Sequence, residues 1–480
     1  MILSSLPLLF LFFIYLLCNN ARLAFSAACH PDDESGLLGF KAGIKADPFG
    51  KLSSWKPGTA CCSWDGVTCL GDGGRVTSIA IVGDLGSSTN YLSGTISSSL
   101  SKVRNLDGIY LQDLRELTGP FPDFLFRMPK LLFVYIENNN LSGPIPANIG
   151  QMNRLIALSL EGNRFTGPIP SSISNLTLLS QLKLGGNLLT GAIPAGIRNL
   201  RVLTLLSLDR NRLTGPIPDF LGTLGELYSI DLSYNSFSGG IPAGLSSLAP
   251  KLMYLKLGHN ALTGRIPDFI GKFTALDTLD LSSNRFTGTV PSTFRNLTKI
   301  FNLDLSRNLL QDPFPDLSVK GIESLDLSYN MFHLGKIPSW VTSSPIIYSL
   351  KLAKCGIKMR LDDWIPKETY FYDYIDLSEN EISGSPIGLV NRTELLVGFW
   401  ASGNKLSFDM GKLNIPKSMK QLDLSRNLVL GKVPAAVTGL ARLNVSYNHL
   451  CGRLPVTKFP VSSFAGNDCL CGPPLSPCKA

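Results

Sequence analysis

The sequence predicts an α/β solenoid: a curved stack of about fifteen or sixteen units of about 24 residues, with a parallel sheet on its concave face and a disulfide-bonded cap at each end. Three observations carry this reading. Segments starting at Leu155, Leu179 and Leu203 ("LIALSLEGNRFTGPIP", "LSQLKLGGNLLTGAIP", "LTLLSLDRNRLTGPIP") superimpose at a period of 24. Within each, leucines alternate as L-x-L and an asparagine follows at a fixed offset. Eight of the ten cysteines form two clusters of four, one near each end.

The repeat can be read chemically. Alternating leucines make a short strand that buries one face, and successive strands stack into a parallel sheet whose intervening residues meet solvent. Further units begin at Leu227, Leu252, Leu276, Ile300, Ile322, Ile347, Tyr372, Leu396, Met419 and Leu440, and earlier ones at Leu106 and Leu131, with a degenerate unit from Val76. The asparagine eight positions after the first leucine (Asn139, Asn163, Asn187 and so on to Asn448) turns the chain inward, where its amide can bond backbone groups that would otherwise be buried unpaired. The following "TGPIP" supplies a glycine for the turn and prolines that keep the return segment extended or loosely helical. L-x-x-L-x-L-x-x-N/C-x-L is the leucine-rich-repeat signature.

Composition agrees. With 44% hydrophobic and 17% charged residues the chain forms a core, and its 45 glycines and 31 prolines are spread as repeat punctuation rather than gathered in a linker. A length of 480 therefore does not imply two or three ordinary domains. The apolar run Leu6–Leu17 has the length of a secretory leader, and small residues Ala24, Ser26 and Ala28 place cleavage between Ser26 and Cys29; the alternative is an uncleaved N-terminal anchor. The expected organisation is a leader over 1–28, an N-terminal cap over 29–75, repeats over 76–450 and a C-terminal cap over 451–480. No later apolar stretch reaches 18 residues, so no stable membrane insertion is expected after leader removal. Net charge is +8, or about +7 without Arg22, with basic residues scattered; this is no nucleic-acid footprint, and the expected counter-charge is a polyanionic matrix.

In the unit from Ile347 the asparagine position is Cys355, which the signature allows. A nucleophile would need a base nearby, and the only histidines are His30, His259, His333 and His449; a zinc site would need three more soft ligands, none close in sequence. Cys355 thus reads as a buried structural member of the ladder, and neither a metal nor another cofactor is expected.

Stacked repeats need caps. In the first, Asp32 or Asp33 can cap a helix whose Leu37, Phe40 and Ile44 share a face, with Trp55 and Trp64 as bulky plugs. Four cysteines in a cap leave three connectivities open. The C-x₃₁-C-C-x-W-x-G-V-x-C cap, the repeated L-x-G-x-I-P and the terminal C-x-C-G-x-P-L-x-x-C-K resemble the plant extracellular leucine-rich-repeat proteins, among them polygalacturonase-inhibiting proteins and the ectodomains of receptor-like kinases. The resemblance covers the whole chain after the leader. It implies the pairings Cys29–Cys61, Cys62–Cys69, Cys451–Cys469 and Cys471–Cys478. It also implies a somewhat twisted right-handed superhelix without catalytic activity, used for recognition in the cell wall or apoplast. The inhibitors usually have about ten repeats, so the longer chain points to another target. Receptor kinases continue into a membrane helix and kinase, and autonomous signalling is not expected here. From Ile300 to Lys412 the L-x-G-x-I-P pattern drifts to "LQDPFP", "FHLGKIP" and "IKMRLDDWIP", and irregular units are where such scaffolds carry function.

The residue between the two strand leucines gives a column on the concave face: Tyr110, Tyr135, Ser159, Lys183, Ser207, Asp231, Lys256, Asp280, Asp304, Asp326, Lys351, Asp376, Trp400, Asp423 and Asn444. Asp280, Asp304 and Asp326 stack at about 4.8 Å as an acidic stripe suited to a basic partner or a cation, although "LDLS" also recurs as plain repeat sequence. Carboxylates about 5 Å apart would suit a retaining glycosidase, but an open sheet has no cleft, so no enzyme is expected. Asp376, Tyr374 and Trp400, with Tyr254 and His259 further back, read as contact surface. Sequons occur at Asn140, Asn175, Asn296, Asn391 and Asn444; the middle three fall on the return segment, where glycans leave the concave face open. Two functions follow as expectations: a secreted recognition protein that binds a cell-wall enzyme such as a polygalacturonase, a peptide or a receptor, or a structural protein held electrostatically to acidic pectin.

Overall fold

The computed structural model describes residues 29–70, 74–83, 91–319, 321–342, 344, 346–364 and 372–478. The expected leader, 1–28, lies outside these. The chain divides into two compact units, one ending at Phe133 and the other beginning at Val134, so the division falls inside the repeat that starts at Leu131.

The first unit opens with a helix, Pro31–Ala42, and its cap differs from the sequence expectation. Pro31 takes the first helical position, where a missing N–H costs nothing, so the N-cap is His30, whose ring accepts from Asp32 N–H at 3.3 Å. Asp33 is thereby carried onto the buried face. Fully buried, it receives Arg75 Nε and Nη2 at 2.8 Å each and Val76 N–H at 3.0 Å. Ile44 does not continue the helix: Gly43 ends it, and Ile44–Ala46 forms a short strand antiparallel to Ser93–Thr95. Leu37, Phe40 and Trp55 are fully buried, and Trp55 stacks on Trp64 at 5.7 Å. Both indoles find partners, Trp55 Nε1–H at Asp65 O and Trp64 Nε1–H at Thr59 Oγ1. Disulfides join Cys29 to Cys61 and Cys62 to Cys69. Val67–Leu70 pairs antiparallel with Arg75–Val82, which pairs in parallel with Gly108–Gln112.

The second unit contains the regular repeats. Three-residue strands from Ala157–Ser159 to Arg442–Asn444 pair in parallel, one per repeat, with central residues in register: Leu158, Leu182, Leu206, Ile230, Leu255 and on to Leu443. These central side chains are buried, which fixes the register, because a one-residue slip would turn every one of them to solvent. The return segment builds a second parallel sheet, from Asn140–Pro144 to Leu309–Gln311. Its Thr-Gly glycines sit at φ of 76° to 86°, as at Gly167, Gly191, Gly215 and Gly264, a region other residues rarely enter. Each strand up to Arg285–Thr289 leads to a proline and then a short 3₁₀ turn, for example Ser171–Asn175 and Asp268–Lys272. Where the motif drifts after Gln311 the second sheet thins to isolated bridges (Gln311 to Met331, Gly335 to Ile357), and short α-helices Ser339–Thr342 and Ile387–Val390 replace 3₁₀ turns. The unit ends in a three-stranded sheet, Leu430–Gly431, His449–Arg453 and Cys469–Cys471, with disulfides Cys451–Cys469 and Cys471–Cys478. Among the described residues no helix is long and apolar enough to cross a membrane.

Candidate binding face

The asparagine ladder fixes the geometry of the face. Asn284 is typical: Nδ2 donates to Leu257 O, Leu281 O and Ser282 O at 3.0–3.2 Å, while Oδ1 accepts Leu262 N–H at 2.9 Å. One amide thus satisfies four backbone groups in two adjacent repeats. Asn467 adds a rung inside the C-terminal cap, one the sequence pattern had not included, donating to Val445 O and Phe464 O. Cys355 occupies its rung as a free, fully buried thiol, with Sγ 3.5 Å from Leu327 O and 3.6 Å from Ala353 O. Burial first, then the charges of Asp326 and Asp376, push the thiol up, so thiolate is scarce. We expect Cys355 to resist thiol reagents under native conditions and Cys355→Asn to fold with an unchanged or raised Tm. Rapid native labelling, or a variant that fails to fold, would contradict the ladder role.

Every rung is preceded by a residue whose place in the turn sequence reasoning missed. Arg210, Tyr234, His259, Ser283, Arg307, Tyr329, Lys354, Glu379, Arg426 and Tyr447 all adopt left-handed backbone, φ 49° to 57°. The turn that sends each asparagine inward demands it. The available signal was glycine in the same slot at Gly162, Gly186 and Gly403. These side chains stack along the edge: Arg210 lies over the Tyr234 ring at 4.2 Å, and Tyr234 stacks on His259 at 4.0 Å and 10°. His259 therefore belongs to this turn row rather than to the strands.

On the strands, Asp280 pairs with Asp304 and Asp304 with Asp326, flanked by Lys256 and Lys351. Each aspartate also has a local task. Oδ1 of Asp280, Asp304, Asp326 and Asp376 accepts the N–H of the serine two residues on, at 2.9–3.0 Å, which explains the D-x-S recurrence. Lys256 reaches outward to Asp231 at 3.8 Å, whereas Lys351 pairs with the end of the stripe, Asp326, at 3.6 Å, leaving Asp280 and Asp304 with no ion pair among the described residues. A cavity of about 260 Å³ takes in this pair, lined also by Arg210, Tyr234, Lys256, Thr278, Asn302 and Ser324. Among the described residues no group of three His, Cys, Asp or Glu could hold a metal ion.

Desolvation, the adjacent Asp326 charge and, more weakly, Asp280 push Asp304 up to about 7 against the hydrogen bonds from Ser306. Burial raises Asp376 and Asp209 in the same direction. The folded chain therefore holds a proton at Asp304 that the unfolded chain, titrating near 4, releases. Stability should fall as pH rises from about 4 to about 7 and level off above. Asp304→Asn should flatten that slope while keeping the local bond, since Asn444 in the same column accepts from Ser446 N–H and Oγ–H through its own Oδ1. Tm measured at pH 5 and pH 8 checks this: the wild type should lose more than the variant.

Beyond the stripe, Asp376 pairs with Trp400 and Tyr374 with Gly398. A Cβ at 398 would collide with the Trp400 indole, so the glycine lets the ring lie over the sheet, where it stacks on Tyr374 at 6.1 Å and 18°. Tyr254 sits in the first strand position beside Thr278. Of the sequons, Asn175 and Asn296 are exposed at the ends of 3₁₀ turns, and Asn391 is exposed after Ile387–Val390. Asn140 is half-buried in the second sheet, and Asn444 is half-buried on the strand face.

A face of this kind, carried by repeated strands with an asparagine ladder beneath, defines a leucine-rich-repeat protein. The chain matches the leucine rich repeat N-terminal domain over residues 30–70 and leucine rich repeats over 154–176, 202–224 and overlapping stretches from 225 to 332. Over 113 residues it is 39% identical to polygalacturonase inhibitor 2 of Arabidopsis thaliana, which takes in 22% of this chain and 34% of the relative. It thus spans about a third of the length of the curated relatives it matches. Among solved structures, a TDR receptor aligns at TM-score 0.58 and 28% identity over 79% of this chain and 74% of that one. The plant peptide hormone receptor RGFR1, solved with RGF2, aligns at TM-score 0.51 and 25% identity over 85% and 84%.

Proposed function

We propose that the chain is a non-enzymatic extracellular recognition protein that binds a basic protein or peptide on the strand face between Tyr254 and Trp400. The carrying observation is charge segregation. Across the six strands from Tyr254–Lys256 to Tyr374–Asp376, counting one lead-in residue each, Asp277, Asp280, Asp304, Glu323, Asp326, Asp373 and Asp376 oppose only Lys256 and Lys351, in a chain whose net charge is +8. Stacking of repeats does not require that imbalance, and it favours a positively charged partner. The stacked Tyr374–Trp400 pair offers an aromatic anchor at one end. Similarity to polygalacturonase inhibitors supports a cell-wall enzyme as target, and similarity to RGFR1 with RGF2 supports a peptide. Glycans at Asn175, Asn296 and Asn391 would sit off the strands and leave this face open. The second reading, electrostatic retention by pectin, draws on the overall positive charge alone.

The test is binding and inhibition against a panel of basic secreted proteins and peptides that includes polygalacturonases, beside a polygalacturonate column eluted with graded salt. Protein recognition predicts a panel member whose binding is lost on strand-face substitution. Retention on polygalacturonate that is steeply salt-dependent and indifferent to those substitutions, with no panel binding, would transfer the function to the pectin reading.

A further inference from the structure

One residue ahead of each strand, a lead-in residue passes its carbonyl to two amides of the next repeat. Met253 O accepts from Asp277 and Thr278, and the pattern continues through Asp277, Phe301, Glu323 and Tyr348 to Asp373 and Tyr374, at 2.8–3.2 Å. These backbone bonds are what register needs, so the side chains are free to vary. They alternate. Met253, Phe301 and Tyr348 are exposed (38%, 36% and 38%), and the three residues between or after them, Asp277, Glu323 and Asp373, are acidic.

The alternation repeats every second strand, about 9.6 Å at the usual strand spacing. A polyproline II chain turns once per three residues at about 3.1 Å each, presenting one face every 9.3 Å or so. Over the two steps from Met253 to Tyr348 the two rulers drift apart by only about 0.6 Å. An extended β peptide repeats its face at about 6.7 Å and an α-helix rises about 5.4 Å per turn, and neither matches. We infer that this row receives a partner segment in polyproline II conformation, with an apolar residue at every third position and lysine or arginine between, reaching Asp277, Glu323 and Asp373. The inference rests on the reading of the strand face as a site for a basic partner and adds the conformation and spacing of the bound segment.

The experiment is calorimetric titration of the full chain with a twelve-residue Leu-Lys-Pro repeat. One comparison peptide has the same composition with irregular leucine spacing, and another is a Leu-Glu-Pro repeat. The regular basic peptide should bind, the other two at least ten-fold more weakly, and Phe301→Ser with Tyr348→Ser should weaken the first at least ten-fold with Tm unchanged. Equal affinity for regular and irregular peptides, or binding of neither, overturns the inference. If panel ligands lose binding in Trp400→Ala but not in the Phe301/Tyr348 double variant, the strand-face function stands and the polyproline II row falls.

Discussion

Asp33→Ala is expected to destabilise the first unit by about 3 kcal/mol, the range seen when one partner of a buried, hydrogen-bonded ion pair is removed. Asp33 is fully buried and receives three N–H groups, two from Arg75 and one from Val76. Its loss strands all three. The Arg75 side chain retains 25% exposure and can turn partly to solvent, which holds the cost toward the lower end. Urea unfolding should show an early transition moved down by about 1 to 2 M. Adding Arg75→Met should recover part of the loss, because an apolar stem replaces an orphaned charge. A double variant worse than the single would contradict this assignment.

Trp400→Ala should cost about 2 kcal/mol of binding to the tightest panel ligand, roughly a thirty-fold loss, as truncation of an aromatic anchor does. Its effect on folding should be small. The indole lies over Gly398 against Tyr374 and is only half-buried, so Tm should move by no more than about 2 °C. A large fall in Tm would mean the ring is a structural plug and that its binding loss reports unfolding.

The repeat was legible because each unit states its own chemistry locally: strand leucines, an inward asparagine, a turn glycine. Even the exception at Cys355 could be placed by counting eight residues from Ile347. The helix cap could not. Asp33 is held by Arg75, 42 residues away, and nothing near Asp33 announces that partner. The N-cap shift to His30 follows from Pro31, which takes the first helical position. The left-handed turn row was hidden because arginine, tyrosine, lysine and glutamate fill a slot where glycine would have been a signal. The acidic column was readable by register. The elevated proton affinity of Asp304 was not, since it depends on burial by neighbouring repeats, which no local pattern states.

The most direct test of strand-face recognition is the association rate of the tightest panel ligand at pH 8, where Asp304 is charged. Three proteins are compared: wild type, the double variant Asp280→Asn with Asp304→Asn, and Lys272→Glu. The double variant keeps serine-accepting oxygens but removes the two unpaired charges, whereas Lys272 is exposed on a 3₁₀ turn. The account predicts association slowed about ten-fold at low salt in the double variant, with little change in dissociation and near-wild-type rates for Lys272→Glu. Equal slowing in both variants would contradict it, placing recognition in diffuse charge rather than on the strand face.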